Sequence, residues 1–378
     1  MQIDDTRRLF LKYKEEHLYG RYITHKDIEP LLKKFNKNID IDIIGYSVLD
    51  HPIYGLKIGT GKKRILMWSQ MHGNESTTTK AVFDLLNTLA DSEAVVKHIL
   101  EACTLYIIPI LNPDGALGYT RINANQVDLN RDAQNLTQPE SKVLKSIFET
   151  FNPDFCYNLH GQRTIFSAGK TNNSATVSFL APAQDEACTI TNTRKIAMEV
   201  IAQMNKALQS IIPEQVGVYD DAFNLNCVGD NFQSNNVPTI LFEAGHYKND
   251  YEREITRELI YIAYVESLLY ISSQEVTGRH YKDYFDIPEN GKCFLDVIIR
   301  NGKVDDKLLD IGIQYQEKLE NGELKFIPKV VEMGRLNELY GHKEIEAHEA
   351  EVFGENGEEL TEGYENVFVI LNNEKILL

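Results

Sequence analysis

Apolar positions along this chain keep helical spacing in some stretches and the two-residue alternation or short continuous runs of strands in others, and the two alternate. Residues 4–37 read as two helices. The second opens at Thr24 with Asp27 three residues on, a capping-box-like start, and carries Ile28, Leu31, Leu32 and Phe35 on one face; Pro30 falls in its early turns, where proline costs least. Alternating runs at 41–49 and 53–58, bounded by Asp50-His51-Pro52 and Gly59-Thr60-Gly61, predict a hairpin. The run 65–68 predicts a buried strand, and Ala81, Val82, Leu85, Leu86 and Leu89 a helix after it. Leu105 to Leu111 predicts a further strand, ended by the turn-forming Asn112-Pro113-Asp114-Gly115.

Residues 126–135 form a polar loop, and a helix is predicted from Pro139, with Val143, Leu144, Ile147 and Phe148 facing inward. Strands over 155–159 and 239–242 and helices over 185–210 and 252–270 complete the pattern. Strands alternating with helices predict an α/β protein, a largely parallel sheet with helices on both faces. Beyond about residue 275 helical periodicity fades, and 294–299, 312–315, 324–331 and 367–371 predict short strands. The expected organisation is an N-terminal helical segment (1–37) packed on a catalytic domain (38–274), followed by a small β-rich C-terminal domain (275–378).

The 378 residues suit one large domain with a smaller one appended, and 43% hydrophobic content is ample for a core. A formal net charge of −17 disfavours nucleic acid and anionic membrane surfaces as partners. Five scattered cysteines, none in a Cys-x-x-Cys pair, indicate neither a disulfide framework nor a cysteine metal site. The first ten residues carry acids early and lack the apolar run of a secretory signal, and no stretch approaches the roughly 20 apolar residues of a membrane span. A cytoplasmic protein is expected; oligomeric state is not written in the sequence.

Three features carry chemistry. His72 and Glu75 lie three residues apart between a buried strand and a helix, and His160 ends another apolar run; parallel strands deliver functional loops at such ends. Two histidines and a glutamate make a three-ligand set that leaves zinc a fourth position for water. Glu243 closes the apolar strand Pro238 to Phe242, where a carboxylate needs a task or a partner, and a general base beside zinc-bound water is such a task; a structural ion pair is the plainer alternative. Asp128-Leu129-Asn130-Arg131 places an arginine fork and an amide in a polar loop, fit to hold a carboxylate. Arg121 is a candidate for stabilising an oxyanion, although a lone loop arginine is more often a surface ion-pair partner. His246 either lines the cleft or caps the turn after Glu243, and His342 and His348 in the acidic tail read as surface residues.

Taken in chain order, these pieces make the sequence similar to the zinc carboxypeptidase family, the funnelin metallopeptidases. The matching stretches are Met71 to Glu75, Leu111 to Gly115, Val127 to Asp132, Asn158 to His160 and Thr239 to Glu243, within roughly residues 40–270. The resemblance implies a three-layer α/β/α sandwich with a mixed eight-stranded sheet and one zinc ion per chain. It implies that His72, Glu75 and His160 bind the zinc, that Glu243 is the general base, and that Asn130 and Arg131 hold a substrate's terminal carboxylate. Arg121 takes the place of the family's oxyanion arginine, and Tyr219 that of its substrate-capping tyrosine. The segment from Gly115 to Arg131 is short, as in bacterial murein-peptide amidases and cytosolic carboxypeptidases.

The leading expectation is a metallocarboxypeptidase acting on peptides with a free carboxylate. A zinc deacylase of N-acyl amino acids, or a murein-peptide amidase, is the alternative within the fold, and an inactive zinc-binding interaction module the alternative outside it. Asp230, before the glutamate strand, would favour basic side chains or serve the structure.

Overall fold

In the computed structural model the described residues are 3–35, 39–91, 94–365, 368–371 and 374–378. Residues 36–37, where the second predicted helix ends, and 367, where the last predicted strand begins, lie outside them. The chain forms two compact units, one of residues 1–162 and 175–290, the other of 163–174 and 291–378.

The larger unit is built on an eight-stranded sheet. Its strands are β1 (Asp40–Tyr46), β2 (Pro52–Ile58), β3 (Lys63–Ser69), β4 (Cys103–Ile108), β5 (Phe155–Gly161), β6 (Val177–Leu180), β7 (Val216–Val218) and β8 (Thr239–Ala244), in the order β1-β2-β4-β3-β5-β8-β6-β7. β4, β3, β5 and β8 run parallel in the centre. The hairpin β1–β2 joins β4 antiparallel on one side, and β6 joins β8 antiparallel on the other. β4 stops at Ile108 rather than at the predicted 111, because Pro109 has no N–H to extend the ladder.

Helices α1 (Ile3–Tyr13), α2 (His25–Phe35), α3 (Thr77–Leu89), α4 (Ala94–Ala102), α5 (Pro113–Gly118), α6 (Pro139–Phe151), α7 (Asn192–Leu208), α8 (Val228–Ser234) and α9 (Glu254–Ser273) complete the unit. Alternation along β3 assigns the layers. Ile65 and Met67 join one apolar core with residues of α1, α2, α3, α7 and α9, whereas Leu66 and Trp68 join a second with Leu144 and Phe148 of α6 and Val228 and Phe232 of α8. A strand buried on both faces reads as the continuous apolar run seen in the sequence. The result is a three-layer α/β/α sandwich.

The N-terminal helices share the first core, and one ion pair anchors the segment between them. Arg257 of α9 and Asp84 of α3, both fully buried, meet at 2.6 Å, and the same guanidinium donates to the carbonyls of Glu15 and Leu18. α2 starts as predicted: the Asp27 carboxylate accepts from the Thr24 backbone N–H at 2.8 Å. α7 starts at Asn192, seven residues after the predicted 185. Thr191 is its true cap, accepting from Arg194 N, while Asp185 closes a separate turn onto Thr189 N.

In the smaller unit β9 (Phe294–Val304), β10 (Lys307–Glu320), β11 (Glu323–Gly334) and β12 (Tyr340–Glu346) form a sheet ordered β11-β10-β9-β12. β13 (Val352–Phe353), β14 (Phe368–Leu371) and β15 (Glu374–Leu377) form another. Pro328 is accommodated because β11 is an edge strand. His342 corrects the expectation of a surface residue: it is buried, stacked on Phe294, with Nε2 2.8 Å from the Thr164 carbonyl. Aromatic stacking and one backbone acceptor offset the loss of its hydration.

Candidate metal centre

The loop between β3 and α3 carries His72 and Glu75, and its path is fixed by the segment after β4. Leu111 N donates to the Ser69 carbonyl, Asn112 N to that of Gln70, and the Asn112 amide to that of Met71. The Asn112 side-chain oxygen also accepts from Gly115 N, so the predicted Asn-Pro-Asp-Gly turn is the capped start of the short helix α5. The two segments lie so close that a Cβ on Gly73 would fall 1.9 Å from the Gly115 carbonyl carbon. Only glycine fits there.

That path aims both side chains at the end of β5. His72 Nδ1 lies 2.9 Å from one Glu75 oxygen, His160 Nδ1 2.9 Å from the other, and the two Nδ1 atoms 3.0 Å apart. One ligand atom from each of the three residues falls within 4.8 Å of the others. Both imidazoles are about 2% exposed. Two buried imidazole nitrogens converging over one carboxylate form an N,N,O donor set of the type zinc takes. The remaining nitrogen of His72 supports that fit: Nε2 lies 3.0 Å from Asp128 Oδ1, the carboxylate–histidine arrangement that orients metal-ligating histidines.

The electrostatics agree. Burial opposes charge on His72, but Glu75 and Asp128 outweigh it and raise its pKa. Burial lowers that of His160. Burial also opposes charge on Glu75, yet the two histidines hold its carboxyl far below the usual range.

Asp128 emerges here as a residue whose contribution the sequence does not reveal on its own. It caps the turn Leu129–Arg131 by accepting from Asn130 N at 2.9 Å, and its second oxygen accepts from Arg121 Nε at 3.0 Å. Arg121 also approaches Glu75 at 3.4 Å, which brings that half-exposed guanidinium to the edge of the cluster.

Glu243 stands directly across from His160 in the parallel pairing of β5 with β8. Its Oε2 is buried without a hydrogen-bond partner among the described residues. Burial, then the Glu75 carboxylate, push its pKa well up, while Arg121 and Arg253 pull it down. Tyr219 lies just after β7, and burial, then the carboxylates of Glu243 and Glu75, raise the pKa of its phenol.

Asn130 and Arg131 extend the site. The Asn130 side-chain oxygen Oδ1 accepts from the N–H of Val228, the first residue of α8, which fixes the orientation of the side-chain amide. Arg131 is exposed, bonded to the Asn130 carbonyl, and among the described residues it has no carboxylate partner. Asp230, by contrast, is buried in α8, accepts from Asn224 N, and is pushed up to about 6 by burial. His246 is also buried, its ring 4.6 Å from that of Tyr251, and its carbonyl accepts from Thr176.

Comparison with known proteins finds carboxypeptidases. The zinc carboxypeptidase family model matches residues 25–143. Carboxypeptidase SOL1 of Arabidopsis thaliana is 30% identical over 163 residues, covering 37% of this chain and 33% of that protein. Carboxypeptidase M of Mus musculus is 25% identical over 177 residues, covering 39% and 40%. The chain spans about a fifth to a third of the length of the first curated relatives it matches. Among solved structures, a metallo-carboxypeptidase from Burkholderia cenocepacia superposes with a TM-score of 0.54 at 19% identity, covering 66% of this chain and 69% of that one. The carboxypeptidase A of Helicoverpa armigera gives 0.53 at 14% identity, covering 71% and 80%. These structures share the fold of the larger unit.

Proposed function

We propose that this protein is a zinc-dependent metallocarboxypeptidase that removes C-terminal residues from peptides, a reading supported by the family match over residues 25–143 and by the shared fold. The observation that carries the proposal is the placement of Glu243 across from His160, beside the converged donors of His72 and Glu75. A cluster for structure alone would not need a further carboxylate at its edge with a buried oxygen that has no hydrogen-bond partner among the described residues.

His72, Glu75 and His160 hold one zinc ion, with Asp128 orienting His72. Bound there, zinc supplies Lewis acidity and lowers the pKa of a water it carries. Glu243 would be the proton acceptor beside that site: burial and the neighbouring Glu75 raise its proton affinity, so its ionised carboxylate would be a strong base and, once protonated, a donor to the leaving amine. Arg131 and Asn130 hold the terminal carboxylate of the peptide, the guanidinium through paired charge-assisted bonds and the amide through the donors left by its bond to Val228. Arg121, already at the rim with Glu75 and Asp128, faces the charge that develops on the scissile carbonyl. Tyr219 closes over the bound residue.

The test is incubation of the purified protein with a mixed peptide library, with and without a chelator. Chelator-sensitive release of single C-terminal residues is expected. Metal-loaded protein that leaves free-carboxylate peptides intact, but cleaves acylated amino acids, would replace the peptidase reading with the deacylase one.

A further inference from the structure

The loop that carries His72 and Glu75 is braced from beneath by one side chain. Gln70 directly follows β3, is fully buried, and has φ +43°, a region non-glycine residues seldom adopt. Its amide nitrogen donates to the Gly73 carbonyl at 2.8 Å and to the Ile23 carbonyl at 3.0 Å. Gly73 lies between His72 and Glu75, and Ile23 lies in the segment linking α1 to α2. A primary amide offers two N–H donors on one planar head, and both carbonyls lie within its reach. A second bond joins the same segments one turn away, from the Ser76 hydroxyl to the Arg21 carbonyl at 2.5 Å.

If the position served only to turn the chain, glycine would fill it with less strain. The glutamine instead spends a fully buried amide on tying the metal loop to the N-terminal segment. We propose that Gln70 is a positioning residue for the metal centre, and that through it residues 21–24 form part of the support that holds His72 and Glu75 in ligand geometry. This rests on the reading of His72, Glu75 and His160 as the zinc site. It implies that the N-terminal segment is a working part of the metal centre.

The experiment measures the zinc dissociation constant by chelator competition, alongside thermal unfolding of the metal-free protein, for the wild type and for His72→Ala, Gln70→Gly, Gln70→Met and Gln70→Glu. Gln70→Gly relieves the backbone and removes the brace, Gln70→Met keeps the bulk without donors, and Gln70→Glu sets a carboxylate against two carbonyls. Support of this kind changes metal affinity by roughly 10–100-fold, so weakening of that order is expected in all three, with the metal-free midpoint of Gln70→Gly close to that of the wild type. Zinc binding by Gln70→Gly within about twofold of the wild type, or weakening only in step with loss of metal-free stability, would overturn the inference. If His72→Ala binds zinc as the wild type does, the metal-site reading falls and this inference with it. If His72→Ala loses zinc while the Gln70 variants keep it, only the inference falls.

Discussion

Asp128 and His72 are joined by a 3.0 Å contact between a carboxylate oxygen and Nε2, which turns the other ring nitrogen of His72 toward Glu75 and His160. The orientation of His72, a proposed zinc ligand, thus depends on a residue in a separate loop. Asp128→Asn should weaken zinc binding by roughly 10-fold or more while leaving the fold intact. Chelator competition read against far-UV circular dichroism checks it, and unchanged affinity would count against the orienting role.

Glu243→Gln should retain zinc and lose turnover. Removing a general acid–base group costs roughly 10²–10⁴-fold in rate, and the amide is isosteric, so metal content should not change. Steady-state kcat and metal analysis on the same sample test this. A variant that keeps more than a tenth of wild-type turnover would remove Glu243 from the mechanism.

Arg131→Ala should act mainly through KM. A bond from a guanidinium to a carboxylate contributes about 1.5–3 kcal/mol, so kcat/KM on peptides with a free terminus should fall about 10–100-fold. Amidated peptides, which lack the charge, should show little further loss. Equal losses on both would place the arginine elsewhere in the reaction.

Arg257→Met should be the most destabilising of these changes. It leaves Asp84 as a fully buried carboxylate and strips the Glu15 and Leu18 carbonyls of their donor. Breaking such a pair costs about 3–5 kcal/mol. Urea unfolding should show it, and the double variant Asp84→Leu/Arg257→Met should recover part of the loss.

Asp230 makes stability depend on pH. Its folded-state pKa, about 6, lies above the ordinary 3.8, so the folded protein binds this proton more tightly than the unfolded chain. The contribution is present in full below about pH 4 and is lost as pH rises through 6. Asp230→Asn, neutral throughout, should therefore gain on the wild type above pH 6, and the gap should close towards pH 4. Unfolding midpoints across that range test the sign.

The convergence of His72, Glu75 and His160 was legible because its information is local. His72 and Glu75 sit at fixed spacing between a strand and a helix, and His160 ends an apolar run. Asp128 was legible only as part of a polar loop, since its partner His72 lies 56 residues away in sequence. The left-handed turn at Gln70 and its brace to Ile23 depend likewise on tertiary packing. The parallel centre of the sheet could be read from buried runs, but β6 and β7, four and three residues long, are too short to show a period. β12 was hidden by its charges: Tyr340–Glu346 pairs parallel with β9 although it runs into the acidic stretch 344–365.

The division of the chain has a mechanical consequence. Residues 163–174 leave the larger unit two residues after the β5 strand ends at Gly161 and belong to the smaller one, where Phe294 N donates to the Ile165 carbonyl and Gln314 to the Thr164 hydroxyl. The polypeptide therefore passes between the units three times, at 162–163, 174–175 and 290–291. One protease nick at 290 cannot set the smaller unit free, and a gene truncated there would still encode the excursion while deleting the strands that pair with it. Domain dissection at that boundary would keep residues 163–174 on the strand that carries His160 while removing 291–378, with which they form one compact unit.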